Sequence, residues 1–417
     1  VDELDLSSTF YLSLGMAGVC YAALWLAAPA IAAGYTQPQL VAQLRTLALV
    51  LFPGALNMVQ QAVVSRRMAF QKLMVGSITA NLISGAAGIG MAVAGLGVWA
   101  LIGQQMVNQL ALCLILLKLV DWRPHWMFSW TRVRSIVSFG WKVLASSLLE
   151  TLYNSLRPLI IGKRFTEEQL GYYSRGKQFP ELLMNTVNGS IQSVMLPLFS
   201  GEQERRERLK AMMRRTIMVS AYLVFPLMAG LGLVARPLVS LLRRDKWLPC
   251  VPFLWICCAD FAFYPVHTSN LQAINAVGRS DVLLKLEIIK KAYGLVILAV
   301  SVFCFDSVLV IAAGSVVSTL IATFVNASPN KKLLNYIYLE QVKDLLPSLG
   351  MTMVMGAAVW AVGLLPLGNL PMLLMQAVAG VCVYAALSLF LKPEAYVAML
   401  DMLAALRKRS ATPPKAE

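Results

Sequence analysis

Charge is scarce in this sequence, and so are the residues that soluble enzymes use for chemistry. Only 14% of the residues are charged, 58% are hydrophobic, and two of the 417 are histidine. A composition this apolar excludes an ordinary soluble globular protein. A single helix of ~20 residues crosses a bilayer, so the chain is far longer than one membrane anchor. The sequence therefore predicts a polytopic membrane protein.

Motifs for catalysis and for metal binding are also missing. The seven cysteines form no CxxC pair and mostly lie inside apolar runs, which favours small buried hydrophobes over a metal site or a disulfide framework. There is no glycine-rich phosphate loop and no nucleophile elbow, so ATP hydrolysis and acyl transfer are not indicated. We predict that the protein is not an enzyme and has no cofactor and no metal.

The formal net charge of +15 has a topological interpretation. Lys and Arg occur in short clusters between apolar runs rather than on one soluble face, which argues against nucleic acid as a partner. Most clusters fall on one side of the spans, including the C-terminal tail, and the positive-inside rule makes that side cytoplasmic. A few basic residues on the outer side do not follow this rule. They form either a rim that receives an anionic headgroup or a positive patch without a role. These are Lys163, Arg164, Arg236, Arg243, Arg244 and Lys246.

Apolar runs bounded by turn and charge signals predict twelve spans and hence an all-α polytopic bundle. The spans are 9–28, 40–64, 75–94, 98–117, 136–161, 170–199, 217–234, 251–276, 282–303, 308–324, 346–365 and 370–390. Prolines in or beside several spans predict kinks. Between the fourth and fifth spans, Trp122, Trp126 and Trp130 recur every four residues among basic residues. This spacing predicts an interfacial helix, for which an aromatic belt without a ligand is a sufficient explanation.

The two halves of the chain resemble each other. The stretch beginning at Gln61 is similar to the one beginning at Gln272, an offset of 211 residues, and such repeats are typical of transporters. Applied to Ile136, this offset predicts two further helices before Val1, making fourteen spans in two pseudo-symmetric lobes. The predicted organisation is an N-terminal lobe over 1–120, an interfacial linker helix over 121–135, a C-terminal lobe over 136–327, two extra helices over 328–392 and a basic cytoplasmic tail over 393–417.

Charged side chains inside the spans indicate a polar passage, because lipid does not tolerate them. The sixth span, over 170–199, carries a particularly large polar load. Cations outnumber anions at this depth, and if they converge on one cavity they concentrate an anion such as a pyrophosphate. The alternative is that several of them snorkel to the interface. The predicted substrate-binding residues are Arg45, Arg157, Arg175, Lys177, Lys290 and Lys291.

Helical spacing also predicts ion pairs and a coupling site. Glu287 precedes Lys290 and Lys291 by three and four residues, and Lys177 precedes Glu181 by four, spacings that stabilise a helix. His267 follows Asp260 by one heptad, which allows a proton-linked pair, although a satisfied core histidine is the alternative. The possible ion-coupling residues are Glu150, Asp260 and His267.

An ordered set of segments carries a family resemblance over residues 1 to about 390. LGYYSRGKQFP, NGSIQSVMLP, FPLMAGL, DKWLPCVPFL and LQAINAVGRSDVLLKLEIIKK resemble the oligosaccharide flippases of the multidrug/oligosaccharidyl-lipid/polysaccharide exporter superfamily. The resemblance is to the Wzx-like branch, with its colanic acid and teichuronic acid exporters. It implies a multi-pass protein of the bacterial inner membrane that flips undecaprenyl-pyrophosphate-linked oligosaccharides to the periplasmic leaflet by alternating access. Many relatives carry an acidic or neutral polar residue near Arg157, which makes an acidic coupling site there doubtful.

The resulting hypothesis is a flippase whose substrate headgroup passes through a cationic cavity. Its partners are the lipid-linked oligosaccharide, membrane lipids and possible polymerase and export machinery for polysaccharide. A multidrug antiporter of the same superfamily is one alternative, but it would favour an acidic or aromatic cavity. A membrane glycosyltransferase or polymerase is another, but it would need a larger catalytic loop outside the membrane. A scaffolding protein would have no reason to bury these charges.

Overall fold

The computed structural model describes residues 3–66, 69–120, 122–201, 206–243, 245–277 and 279–401. Throughout these ranges the chain is helical with short connections, and it contains no strand, which confirms the all-α class. The helices are α1 (Glu3–Gly34), α2 (Gln39–Ala48), α3 (Leu51–Arg66), α4 (Phe70–Val93), α5 (Val98–Leu119), α6 (Trp130–Arg164), α7 (Glu167–Gly201), α8 (Arg206–Leu233), α9 (Ala235–Arg243), α10 (Val251–Ala262), α11 (Tyr264–Ala276), α12 (Ser280–Cys304), α13 (Val308–Leu334), α14 (Tyr338–Val362) and α15 (Asn369–Leu391), with a 3-10 helix over Asp245–Cys250.

Parts of the predicted organisation fall outside these ranges. Residues 402–417, which make up most of the predicted basic tail, lie outside the described ranges, and so does Arg244 of the predicted outer rim. The side chain of Arg243 also lies outside the description.

Each predicted span coincides with a helical segment. Nine segments in the described ranges are long and apolar enough to cross a membrane. The other three correspond to α6, α7 and α12, which have 35, 35 and 25 residues. At 1.5 Å per residue even α12 extends for about 37 Å, which exceeds the ~30 Å hydrocarbon core. The chain is therefore a multi-pass membrane bundle.

Two predicted spans are interrupted at prolines. The second span divides into α2 and α3 just before Pro53, whose missing N–H cannot continue the helical bonding. The eighth divides into α10 and α11 at Phe263, where Pro265 occupies the first turn of α11. By contrast, Pro158 and Pro226 lie inside the continuous helices α6 and α8.

The segment over 122–129 is irregular, so the predicted interfacial helix is wrong there, and α6 begins only at Trp130. The three tryptophans therefore do not lie along one face of a helix. Trp122 is 5% exposed and packs in the core of α3, α4 and α5, whereas Trp126 is 94% exposed.

Local chemistry and a distant helix explain this irregular segment. Pro124 disfavours helical backbone at the residue before it. Two hydroxyls of α1 then supply partners for its backbone, because Ser7 Oγ accepts from the N–H of His125 at 3.3 Å and Ser8 Oγ from that of Ser129 at 3.1 Å. Both serines are fully buried. The four-residue spacing of the tryptophans therefore does not reflect helical structure.

The chain forms two compact units, Val1–Leu152 and Tyr153–Glu417. Their boundary falls inside α6, later than the predicted boundary over 121–135. In the first unit α4 and α5 pack closely, since a Cβ at Gly88 would meet Cβ of Gln104 at 3.0 Å. In the second unit α8 is central and packs against α10, α11 and α14. The two predicted extra helices, α14 and α15, therefore belong to the second unit.

Candidate functional site

The polar helix α7 packs closely against α10. A Cβ added at Gly176 would lie 2.8 Å from the carbonyl oxygen of Cys250 and 2.9 Å from the backbone N of Leu254. Such contact between backbones requires a residue without a side chain. Because Gly176 lies between Arg175 and Lys177, this contact fixes the position of both cations.

Two predicted cations and one predicted acid lie around Cys257 of α10. The charges of Asp260, Lys177, Arg157 and Glu181 all act on this buried thiol. Lys177 and Glu181 form the predicted i, i+4 ion pair, with Nζ and Oε1 3.3 Å apart. We call Arg157, Lys177, Glu181 and Asp260 the α10 charge cluster.

Arg157, one of the two cations of this cluster, has unused hydrogen-bonding capacity. Its side chain is half-buried and interacts with the hydroxyl of Tyr173, which is 5% exposed. Its Nε is buried and has no hydrogen-bond partner within the described part of the chain. Asp260 accepts a short hydrogen bond from the hydroxyl of Thr319 on α13. The cluster thus contains a guanidinium with a donor available for an additional acceptor.

Arg175 lies apart from this cluster, because residues two positions apart point to different sides of a helix. Its guanidinium donates to Oε1 of Gln178 at 3.0 Å and lies 6.0 Å from the ring centre of Trp247. Trp247 in turn contacts Tyr172 edge to face, with ring centres 5.9 Å apart. Arg175 therefore belongs to an aromatic and polar surface at the 3-10 helix.

On α12 the predicted ion pair between Lys290 and Glu287 is present, with Nζ and Oε1 2.5 Å apart. The Lys290 side chain is 19% exposed, and its charge acts on His267 of α11. Lys291 is half-buried on the same helix. Of the two predicted cations of α12, Lys290 therefore lies near the predicted histidine rather than in the α10 charge cluster.

His267 is half-buried, with both ring nitrogens engaged by α13. Its Nε2 lies 3.2 Å from Oγ1 of Thr323, and its Nδ1 lies 3.0 Å from Nδ2 of Asn326. Asp260 and His267 are on different helices, yet both meet the same face of α13. The break at Phe263 therefore separates the predicted heptad pair, and the two residues contact a third helix instead of lying on one helical face.

The remaining predicted residues lie in the first unit. The guanidinium of Arg45 stacks on the ring of Trp25, 4.0 Å from its centre, and donates to the carbonyl oxygen of Trp25 at 3.3 Å. Its Nε is buried and lacks a partner among the described residues. Glu150 is exposed on α6. The roles of Arg45 and Glu150 stay predictions.

Sequence reasoning missed the polar residues of α13. Thr319, Thr323, Asn326 and Asn330 follow one another at intervals of four, three and four residues, which places them on one helical face. A polar stripe of this periodicity inside an apolar span was the available signal. Tyr173, which is adjacent to Arg157, carried no comparable signal.

The second unit also contains a large open cavity of about 1180 Å³ between α8, α10, α14 and α15. Its walls are mainly apolar, and its polar residues include Arg236 and Asn369. None of the members of the α10 charge cluster lines it. The cavity and the α10 charge cluster are therefore separate features of the second unit. Among the described residues, no group of three or more His, Cys, Asp or Glu side chains is arranged to hold a metal ion.

Residues 1–252, more than half of the chain, match the family model for polysaccharide biosynthesis proteins. The chain belongs to this family. Three relatives are the succinoglycan biosynthesis transport protein ExoT of Rhizobium meliloti, the teichuronic acid biosynthesis protein TuaB of Bacillus subtilis and the lipopolysaccharide biosynthesis protein WzxC of Escherichia coli.

These three relatives share 23%, 23% and 22% identity with 66%, 67% and 70% of this chain. The chain spans only 56%, 58% and 59% of their respective lengths. Among solved structures, the lipid II flippase MurJ in an inward closed conformation matches with a TM-score of 0.75 at 11% identity. That match covers 94% of this chain and 84% of MurJ. It shows a shared fold and supports the predicted polytopic helical architecture.

Proposed function

We propose that this member of the polysaccharide biosynthesis protein family is a flippase for undecaprenyl-pyrophosphate-linked oligosaccharides. The α10 charge cluster carries the proposal. Its guanidinium and ammonium groups lie near the buried thiol of Cys257, and the Arg157 Nε has no partner among the described residues. A guanidinium suits bidentate contact with phosphate, and an ammonium acts as a point charge. Relatives named for polysaccharide and lipopolysaccharide biosynthesis support this substrate class.

The main energetic cost of flipping such a lipid comes from its polar headgroup. Moving a polar sugar chain and a pyrophosphate through hydrocarbon without partners is very costly. Cations inside the protein lower that cost for the pyrophosphate, while the lipid tail stays in the bilayer. In this mechanism Arg157 and Lys177 contact the phosphates and Asp260 limits the net positive charge of the empty site. Arg45, Arg175, Lys290 and Lys291 are further proposed contacts along the path.

The proposal includes an orientation and a set of partners. The basic loops and the C-terminus face the cytoplasm of a bacterial inner membrane, following the positive-inside rule. The substrate moves from the cytoplasmic to the periplasmic leaflet, where polymerase and export machinery take it over. The protein itself makes and breaks no covalent bond. Glu150, Asp260 and His267 are the proposed ion-coupling residues.

The decisive experiment measures leaflet transfer in proteoliposomes with a fluorescent undecaprenyl-pyrophosphate oligosaccharide. We expect the double substitution R157Q/K177Q to reduce the transfer rate by about two orders of magnitude. This reduction is comparable to losing one or two charge-assisted contacts at ~1.5–3 kcal/mol each. The reason is that both substitutions remove charge from the α10 cluster.

The matched control is K331Q/K332Q, which removes two exposed positive charges from the last turn of α13. We expect this variant to transfer substrate at the parental rate. Equal rates in both variants would move the site away from the α10 cluster. Absence of transfer by the parental chain, combined with export of a cationic dye, would contradict the flippase and support the drug antiporter.

A further inference from the structure

The open cavity of about 1180 Å³ in the second unit has the character of a lipid site. Its volume exceeds the ~300–1,000 Å³ that is typical of sites for small molecules. Large apolar side chains line it and remain accessible, among them Trp255 at 45%, Trp360 at 60% and Met353 at 64% exposure. In a membrane bundle hydrocarbon covers such a surface, because exposing it to water is unfavourable. The walls therefore favour an acyl chain over a sugar.

Polar side chains along these walls are directed into the protein. The indole N–H of Trp255 donates to the carbonyl oxygen of Gly232 at 2.8 Å, so the ring presents only apolar surface to the cavity. The amide of Gln376 donates to the carbonyl oxygen of Val359 at 3.3 Å. Its Oε1 has no partner among the described residues, but this atom is buried and is not reached from the cavity.

The cavity is long enough for a complete acyl chain. Along α14 its lining residues run from Leu349 to Gly363. At ~1.5 Å per residue this distance is about 21 Å. One leaflet contributes half of the ~30 Å hydrocarbon core, or about 15 Å. A chain from one leaflet can therefore lie along α14 over its full length.

One end of the cavity carries charges of both signs. Arg236, Ser240, Asp245 and Asn369 line it, and they belong to α9, the 3-10 helix and the first residue of α15. These elements follow α8, precede α10 and follow α14, so they lie at the same end of the bundle. In the orientation proposed above, this end faces the periplasmic leaflet.

The two charges at this end are held near each other without pairing. Arg236 and Ser240 are four residues apart in α9, which places their Cβ atoms ~6 Å apart on one helical face. The Ser240 hydroxyl donates to Oδ1 of Asp245 at 2.7 Å and accepts from Nδ2 of Asn369 at 2.8 Å. Arg236 is exposed and has no ion pair or hydrogen bond with another described residue. A cation and a carboxylate are therefore both available to a ligand.

We propose that this cavity binds a bilayer phospholipid with a zwitterionic headgroup, of the phosphatidylethanolamine class. Arg236 binds the phosphate, the carboxylate of Asp245 binds the ammonium group, and an acyl chain lies along α14. An anionic phospholipid satisfies Arg236 but brings no cation to Asp245. The pyrophosphate of the proposed substrate would place still more negative charge beside this carboxylate. The charges at the mouth therefore favour the zwitterionic lipid over both.

Native mass spectrometry of the full chain in detergent, after removal of bound lipid, measures this selectivity. Dioleoyl phosphatidylethanolamine and dioleoyl phosphatidylglycerol compete at equal concentration, so that only their headgroups differ. We expect the ethanolamine lipid to bind about three- to fivefold more tightly, which is the effect of one exposed ion pair. Equal binding of both lipids by the parental chain would overturn the proposal.

Two substitutions separate the two headgroup contacts. D245N keeps an acceptor for Ser240 and should lower binding of the ethanolamine lipid to the level of the glycerol lipid. R236Q should weaken both lipids, because both carry a phosphate. The matched control is K246Q, which removes an exposed neighbouring charge that does not line the cavity and should leave both affinities unchanged. Full selectivity in D245N would show that Asp245 does not contact the headgroup.

Fluorescence quenching locates the acyl chain. We expect a stoichiometric amount of ethanolamine lipid with brominated chains to quench the tryptophan fluorescence of the parental chain. The variant W255F/W360F should lose most of that quenching. Undecaprenyl phosphate in equal amount should not displace the lipid. Unchanged quenching in W255F/W360F would place the lipid elsewhere, and displacement by undecaprenyl phosphate would assign the cavity to the substrate's tail. None of these measurements requires transport, so their outcome is independent of the flippase proposal.

Discussion

Replacing Arg214 with glutamine should lower the free energy of unfolding by about 2–3 kcal/mol. Its guanidinium bonds Asp344 through Nε at 2.9 Å and Glu394 through two nitrogens at 2.8 Å each. The Asp344 side chain is only 10% exposed, so losing its cation leaves a nearly buried carboxylate. Removing one partner of a buried pair costs about 3–5 kcal/mol, and the 38% exposure of Arg214 reduces this value through solvent screening.

The Arg214 contacts connect three parts of the second unit. Arg214 is on α8, Asp344 is on α14, and Glu394 follows α15. Tyr336, between α13 and α14, adds a hydrogen bond to Asp344 at 2.7 Å. Its burial and this carboxylate raise the pKa of the Tyr336 hydroxyl, which therefore stays a donor at physiological pH. The variant should for this reason loosen α14 and α15 from α8.

Thermal unfolding in a single detergent measures this effect. The matched control is R279Q, which removes an equally bidentate but exposed pair with Asp281 and should change the midpoint little. The double variant R214Q/D344N should recover part of the loss, because it also removes the buried negative charge. Equal midpoints for R214Q and R279Q would show that the Arg214 contacts do not stabilise the fold.

Substituting valine for Gly176 should destabilise the second unit and reduce transport together. A Cβ at this position would also lie 2.7 Å from Cβ of Phe253, in addition to its backbone clashes with α10. Since neither backbone can move away without disturbing the core, we expect a cost of about 1–3 kcal/mol or more. The displacement of α7 would separate Lys177 from Asp260 and weaken the α10 charge cluster.

The control for this substitution is G189V on the same helix. Gly189 has nothing within 4 Å of the position that a Cβ would occupy. Both variants add the same β-branched side chain to α7, so a difference between them isolates the contact with α10. Thermal unfolding and leaflet transfer should both be near the parental values for G189V. A stable and fully active G176V would show that α7 and α10 do not need this close approach.

The sequence predicted the features that depend on neighbours along the chain. Helical class, the twelve spans and the ion pairs of Lys177 with Glu181 and of Lys290 with Glu287 follow from apolar runs and from residues three or four apart. Prolines mark the breaks near Pro53 and Pro265, but the missing N–H alone does not predict a break, because α6 and α8 continue through Pro158 and Pro226. Long-range contacts were not needed for any of these results.

Tryptophan spacing led to the one wrong helix, because a local pattern was overridden by distant partners. Residues 122–129 gain hydrogen bonds from Ser7 and Ser8, which lie more than a hundred residues earlier in the chain. Those bonds satisfy two of the segment's backbone N–H groups without a helix. A four-residue spacing alone cannot reveal such partners.

By itself, the sequence determined that this protein is an α-helical membrane bundle with cations inside its spans, because hydrophobicity and charge are properties of the residues themselves. Only the tertiary structure decided which charges meet. It grouped Arg157 and Lys177 with Asp260, placed Arg175 beside Trp247, and joined His267 to Asn326. The physical reason is that these contacts depend on the rotation and separation of packed helices, and close approaches such as that at Gly176 set both.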